Sequence, residues 1–190
     1  MARTFTIGDI HGGRRALQQV LDKVGLKQGD RLIFLGDYVD GWSESRQVIE
    51  LLMELDDRHD CIFILGNHDA WCEEWLMGWG ADRDWVLHGG QATIDSYAGI
   101  SPADRERHLR FFRNMRPYYE DNNCLFIHAG FSSMHGPKKR TSSQQLFMGQ
   151  DAVGDGAGRR PAYTKNELVL PPAAVIVRRD IYRSYPYHEL

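Results

Sequence analysis

The sequence predicts an α/β fold in which parallel strands alternate with helices. Three observations predict it. Short, wholly apolar runs of strand length recur along the chain. The longer segments between them carry apolar residues at helical spacing. A Gly-flanked Asp, His or Asn follows each apolar run, where the loops of such a sheet would lie.

Taken in order, Phe5-Thr6-Ile7 reads as the first strand, ending at Gly8-Asp9. Arg14 to Val24 puts Ala16, Leu17, Val20, Leu21 and Val24 on one helical face and stops at Gly25. Leu32-Ile33-Phe34-Leu35 is apolar throughout, as a strand buried on both faces would be. Ser43 to Leu55 is expected to be helical, with Ser43 as its cap and Val48, Ile49, Leu51, Leu52 and Leu55 as its stripe. Cys61 to Leu65 is the third strand. Asp69 to Met77 is the next helix, with Trp71 and Trp75 one turn apart. Pro102 to Met115 is another, capped by Ser101 with Pro102 in its first turn. Leu125-Phe126-Ile127 is the fourth strand and leads into His128. From Pro137 the character changes to basic, Ser-rich and Gly-rich sequence, with Leu168 to Leu170 and Ala173 to Val177 as its apolar runs.

A chain of 190 residues can bury one sizeable core. Its 42% hydrophobic and 26% charged content is that of a globular domain, and a net charge of −3 argues against a nucleic-acid or membrane footprint. No apolar run approaches the ~18 residues of a spanning helix. The N-terminus enters a strand directly, so no leader is expected. Cys61, Cys72 and Cys124 are too few and too spread for a disulfide framework, so free, buried thiols and a reducing cytoplasm are expected.

Four segments carry the chemistry: Gly8-Asp9-Ile10-His11-Gly12, Gly36-Asp37-Tyr38-Val39-Asp40-Gly41, Gly66-Asn67-His68-Asp69 and His128-Ala129-Gly130. In an α/β sheet, ligands sit beyond the carboxyl ends of the strands, where all four segments fall. Together they offer carboxylate, amide and imidazole donors at one edge, a set suited to a pair of divalent cations. Asp9 and His11 alternate along an extended segment, so both can face one metal while Ile10 faces inward. Asp37 can bridge two metals with its two oxygens. Each segment alone reads equally well as a turn carboxylate, a helix cap or a satisfied histidine. Their convergence at strand ends makes them one site.

The order and spacing of these segments resemble the calcineurin-like metallophosphoesterases, in particular their phosphoprotein-phosphatase branch, over roughly residues 4 to 136. The resemblance implies an α/β metallophosphoesterase-type β-sandwich flanked by helices in four layers, with the C-terminal strands missing or altered. It implies a metallophosphoesterase domain at 1–136 and an atypical segment at 137–190. It gives Asp9 and His11 to a first metal, Asp37 to the bridge, and Asn67 and His128 to a second metal. It makes His68 the proton donor to the leaving group and Asp40 the carboxylate that orients it. Two divalent ions are implied, with Mn²⁺ the expected identity and Fe or Zn the alternatives. The expected activity is metal-dependent hydrolysis of phosphomonoesters by a metal-activated water, on phosphoserine or phosphothreonine protein or a small phosphoester. The alternatives are a symmetrical bis(5'-nucleosyl)-tetraphosphatase and a catalytically impaired metal- or phosphate-binding remnant. Leu87-His88-Gly89-Gly90-Gln91-Ala92-Thr93-Ile94-Asp95-Ser96-Tyr97 adds a Gly-Gly, Thr and Ser-Tyr pattern that resembles bacterial protein phosphatases and diadenosine tetraphosphatases. Trp71, Trp75, Trp79 and Trp85 read as core packing, with an aromatic wall over the metals as the alternative.

Two departures from the family stand out. The family's Asp-Arg-Gly is here Asp40-Gly41-Trp42, which removes a phosphate-contacting arginine and leaves Arg14 and Arg46 as substitutes to look for. The Gly-His ligand expected after His128 is absent, with only His135 and His188 beyond it. A shift of reading frame after about Gly136 would account for this. One nucleotide forward, codons for Met148 to Asp151 yield Trp with Asp and Arg available, and codons for Arg183 to Tyr187 can read Gly-His-Thr-His.

Overall fold

The computed structural model describes residues 2–128 and the strand Val175–Arg178. Strands β1 (Thr4–Ile7), β2 (Arg31–Phe34) and β3 (Asp60–Phe63) form a parallel sheet in that order. Phe5 pairs with Leu32 and Leu32 with Cys61. Helices α1 (Arg14–Val24) and α2 (Ser45–Asp56) make the crossovers. Then come α3 (Asn67–Leu76), a short α4 (Arg83–Trp85), a kinked turn at Val86–Gly90 in which Gly89 has φ of 105°, α5 (Gln91–Ser96) and α6 (Pro102–Arg113). Strands β4 (Tyr118–Asp121), β5 (Cys124–Ile127) and β6 (Val175–Arg178) form an antiparallel second sheet.

The apolar β2 run is buried on both sides because side chains alternate between faces. Leu32 and Phe34 join Phe63, Leu65 and the helices in the larger core, where Phe34 stacks on Phe63 with centroids 5.1 Å apart. Ile33 and Leu35 face the other way and pack with Ile62, Ile64 and Phe126, the layer between the two sheets. Arg31 links the sheets at one edge, donating to Asp60 Oδ2 at 2.6 Å and Asp121 Oδ2 at 3.0 Å. The described layers are therefore helices, parallel sheet and antiparallel sheet, a mixed α/β sandwich. The basic run at 138–140, the histidines at 135 and 188, and the shifted-frame segments lie outside the described residues. No described helix is long and apolar enough to cross a membrane.

Most elements lie where the sequence puts them; the differences are local. Helix α2 starts at Ser45, and Glu44 rather than Ser43 precedes it with no side-chain cap. The chain leaves Asp40 and Gly41 with φ of 74° and 76°, so it needs a further turn before it can coil. Helix α3 starts at Asn67, two residues early, because Asp69 accepts from Gly66 N–H at 2.9 Å and closes the first turn. The β4–β5 hairpin escaped the hydropathy pattern because Tyr118–Asp121 is largely polar. Its signal was the Asn122-Asn123 pair, which takes φ of 46° and 65° as a two-residue hairpin loop requires. Trp71 and Trp85 are core, Trp75 packs on it, and Trp79 is 73% exposed, so core packing holds for three of the four. The three cysteines are free, with only Cys72 buried and the other two half-buried.

Candidate metal centre

Backbone hydrogen bonds stitch the loops after β1 and β2 together. The carbonyl of Asp37 accepts from Ile10 N–H and His11 N–H, both at 2.9 Å. Gly12 N–H donates to Tyr38 O at 2.8 Å, and Trp42 N–H to His11 O at 3.0 Å. His11, Asp37 and Asp40 have φ of 47°, 53° and 74°, in the left-handed region that costs a non-glycine residue about 1 kcal/mol or more. The segment Asp9-Ile10-His11 is thus a tight turn and not the extended ribbon the alternation suggested. Ile10 does pack on the core, while Asp9 is exposed at the end of β1.

Asp69, a residue with no role in the sequence reading, ties the second loop to the third. Its carboxylate accepts from Asp37 N–H at 2.8 Å, Tyr38 N–H at 2.9 Å and Gly66 N–H at 2.9 Å. The close approach demands glycine at 66: a Cβ there would run into the Asp37 carboxylate and come within 2.9 Å of Asp69 Oδ2. Burial and the neighbouring Asp37 push Asp69 up to about 7, against the pull of its N–H donors. The sequence signal that could have found it was an acidic residue three positions after Gly66.

Three histidines surround the buried Asp37, and each has its Nδ1 held by an acceptor. His128 Nδ1 lies 2.7 Å from Leu35 O, His11 Nδ1 lies 3.1 Å from Val39 O, and His68 Nδ1 lies 2.6 Å from Asp40 Oδ2. Those acceptors take the Nδ1 proton and leave each Nε2 as the working atom. Nε2 of His128 is 3.1 Å and Nε2 of His11 is 3.8 Å from Asp37 Oδ2. Potential donor atoms of His11, Asp37 and His68 all lie within 4.8 Å of one another. Asn67, fully buried, opens α3 beside them. Of the predicted site residues, His11, Asp37, His68, Asp40 and His128 thus form one contiguous cluster. Asp9 joins through its field, which acts on His128.

The electrostatics are those of a site that attracts positive charge. Burial works against charge on His128, but Asp37 outweighs it and carries the imidazole up to about 9. Burial likewise works against Asp37, yet His128 first, then His68 and His11, hold its carboxyl below the usual range. A divalent ion would replace the His128 proton, and a buried carboxylate flanked by two imidazole Nε2 atoms and an amide is a fitting donor set. For His68, burial opposes the charge, but the Asp40 hydrogen bond and the fields of Asp37, Asp40 and Asp69 raise it. The two arginines raised as substitutes lie in different settings. Arg46 pairs with Glu50 at 3.1 Å, and Arg14 lines a cleft of about 270 Å³ with Glu44, Gln47 and Glu50.

The family profile for calcineurin-like phosphoesterases matches residues 2–161. An asymmetrical bis(5'-nucleosyl)-tetraphosphatase of Geobacillus sp. (strain WCH70) is 25% identical over 164 residues, 78% of this chain and 66% of the relative. A symmetrical bis(5'-nucleosyl)-tetraphosphatase of Nitrosomonas europaea is 29% identical over 128 residues, 67% of this chain and 44% of the relative. The chain therefore spans less than two thirds of these relatives' lengths. A crystal structure of a candidate diadenosine tetraphosphatase superposes with a TM-score of 0.53 at 26% identity, covering 70% of this chain and 53% of that one.

Proposed function

Because the chain belongs to the calcineurin-like phosphoesterase family, we propose that it is a metal-dependent hydrolase that cleaves the polyphosphate bridge of a bis(5'-nucleosyl) tetraphosphate. The observation that carries the chemistry is the set of three Nδ1-anchored histidines around the buried Asp37. The relatives support the substrate: both are named for dinucleoside tetraphosphates rather than phosphoproteins. They move the reading from a serine/threonine phosphatase, the main expectation from the sequence, to its alternative.

In this reading Asp9 and His11 would hold one divalent ion and Asn67 and His128 a second, with Asp37 as a ligand they would share. Bound metal of this kind supplies a water nucleophile at neutral pH and neutralises phosphoryl charge. The protein's own residues do the rest. Asp40 keeps the Nδ1 proton of His68 in place, which leaves Nε2 to carry the proton that is transferred. That proton passes to the leaving oxygen as its bond to phosphorus breaks, and His68 ends the step neutral. Asp69 holds the loops that carry Asp37 and Asn67 at one spacing. We assign this machinery to residues 1–136, with Mn²⁺ as the expected metal.

The test is incubation of the chain with diadenosine tetraphosphate and Mn²⁺, products being resolved by anion-exchange chromatography. Metal-dependent release of nucleotides is expected. ADP alone would mark symmetrical cleavage, and AMP with ATP asymmetrical cleavage. Inert dinucleotide with release of phosphate from a phosphoserine peptide would return the protein to the phosphatase reading. Metal binding without any hydrolysis would make it an impaired remnant.

A further inference from the structure

The Gly-Gly, Thr and Ser-Tyr segment after α4 contributes no residue to the metal cluster, yet it surrounds the residue that orients the proton donor. Asp40 is fully buried and its carboxylate receives three donors. Oδ2 accepts from His68 Nδ1 at 2.6 Å and from Trp85 Nε1–H, also at 2.6 Å. Oδ1 accepts from the Thr93 hydroxyl at 2.6 Å. The Asp40 N–H is shared between Thr93 Oγ1 at 2.9 Å and Ser45 Oγ at 3.0 Å, which holds the left-handed backbone at this residue.

The kinked turn at Val86–Gly90 makes this arrangement fit. Trp85 is buried completely, and its indole lies against Gly90, where a Cβ would come within 2.5 Å of the ring. Any larger residue at 90 would push the indole N–H off Asp40. A carboxylate with two oxygens and three short, charge-assisted donors has no freedom to rotate. It must accept from His68 in one direction, and it cannot swing toward Asp37 and its histidines.

The geometry points to Trp85 and Thr93 as positioning residues for the hydrolysis, acting through Asp40 to keep the His68 Nε2 proton aimed at the leaving group. This rests on the reading of His68 as proton donor and goes beyond it. Loss of either donor frees the Asp40 carboxylate to turn, and the imidazole loses its fixed direction. The cost should fall on substrates whose leaving oxygen needs a proton and spare those whose leaving group departs as an anion.

The experiment compares p-nitrophenyl phosphate, a good leaving group, with phenethyl phosphate, a poor one, on the full chain with Mn²⁺. Thr93→Val keeps the shape and removes the hydroxyl; Thr93→Ser restores it; Trp85→Phe removes the indole N–H. Thr93→Val is expected to lower kcat on phenethyl phosphate about tenfold more than on p-nitrophenyl phosphate, and Thr93→Ser to recover most of the ratio. A role in folding alone would lower the melting temperature and both rates together. A stably folded Thr93→Val with an unchanged ratio would overturn the proposal.

If the wild type cleaves neither ester, the reading of the site fails, and hydrogen exchange still tests the geometry. The His68 Nδ1 proton is expected to give a protected, downfield resonance in the wild type and Thr93→Ser. In Thr93→Val it should exchange about tenfold faster, since one donor to its acceptor is gone. Equal exchange in all three would also overturn the proposal.

Discussion

The cluster around Asp37 and the pocket around Asp40 lie on the same loop, three residues apart, and solve opposite problems. Both centre on a buried aspartate in left-handed backbone that faces a histidine. Asp40 is satisfied by hydrogen-bond donors: an indole, a hydroxyl and an imidazole N–H. Asp37 accepts one neutral donor, the His68 N–H at 3.2 Å, and otherwise faces the imidazole Nε2 atoms of His128 and His11 with Asp69 close behind, a setting that favours a positive charge. A buried carboxylate that hydrogen bonds complete is a support. One that needs a cation is a binding site.

The largest test of this contrast is Asp37→Asn. It should abolish the heat of Mn²⁺ binding and lower metal-dependent hydrolysis by about a thousandfold, the scale of losing a main stabiliser of transition-state charge. Calorimetry and turnover with diadenosine tetraphosphate check it; normal metal binding would mean the ligands lie elsewhere.

The next test is pH. His128 in the folded protein is raised to about 9 from an ordinary 6.5, so its stabilising charge is complete below pH 6.5. That contribution, on the order of 3 kcal/mol, is lost as pH rises through 9 in metal-free protein. Metal binding must expel the same proton, so Mn²⁺ affinity should rise over the interval in which apo stability falls. Thermal melts of chelated protein from pH 6 to 9.5, with calorimetry at pH 6.5 and 8, read both trends. A flat apo melting temperature would show that Asp37 and His128 are not coupled this way.

The smallest effect belongs to the Asp40 pocket. Ser45→Ala removes one of two acceptors for the Asp40 N–H and leaves Thr93 Oγ1 in place. It should cost about 1 kcal/mol in chemical denaturation and leave Mn²⁺ affinity unchanged. A change in metal affinity would show that the support around Asp40 also sets the cluster around Asp37.

Much of this was legible before the structure. The apolar runs at 32–35 and 61–65 are strands buried on both faces, because only a layer covered on both sides tolerates unbroken hydrophobicity. The helix over Arg14–Val24 follows from its periodic stripe and its closing glycine, and the Ser101 cap donated to by Asp104 N–H follows from the residue type. Glycine next to Asp, His and Asn at three strand ends marked the edge where chemistry gathers.

What the sequence by itself determined was the set of elements, the edge that carries the site, and the donor types brought to it, since local spacing and residue chemistry encode all three. Only the tertiary structure decided how those donors are held. That Asp69 binds two loops, that Trp85 and Thr93 reach Asp40 across 45 and 53 positions, and that each histidine is turned by a backbone carbonyl or a carboxylate depends on contacts between distant segments. Hydrogen bonds of that kind leave no periodic trace in a chain, because their geometry exists only once the loops have closed on one another.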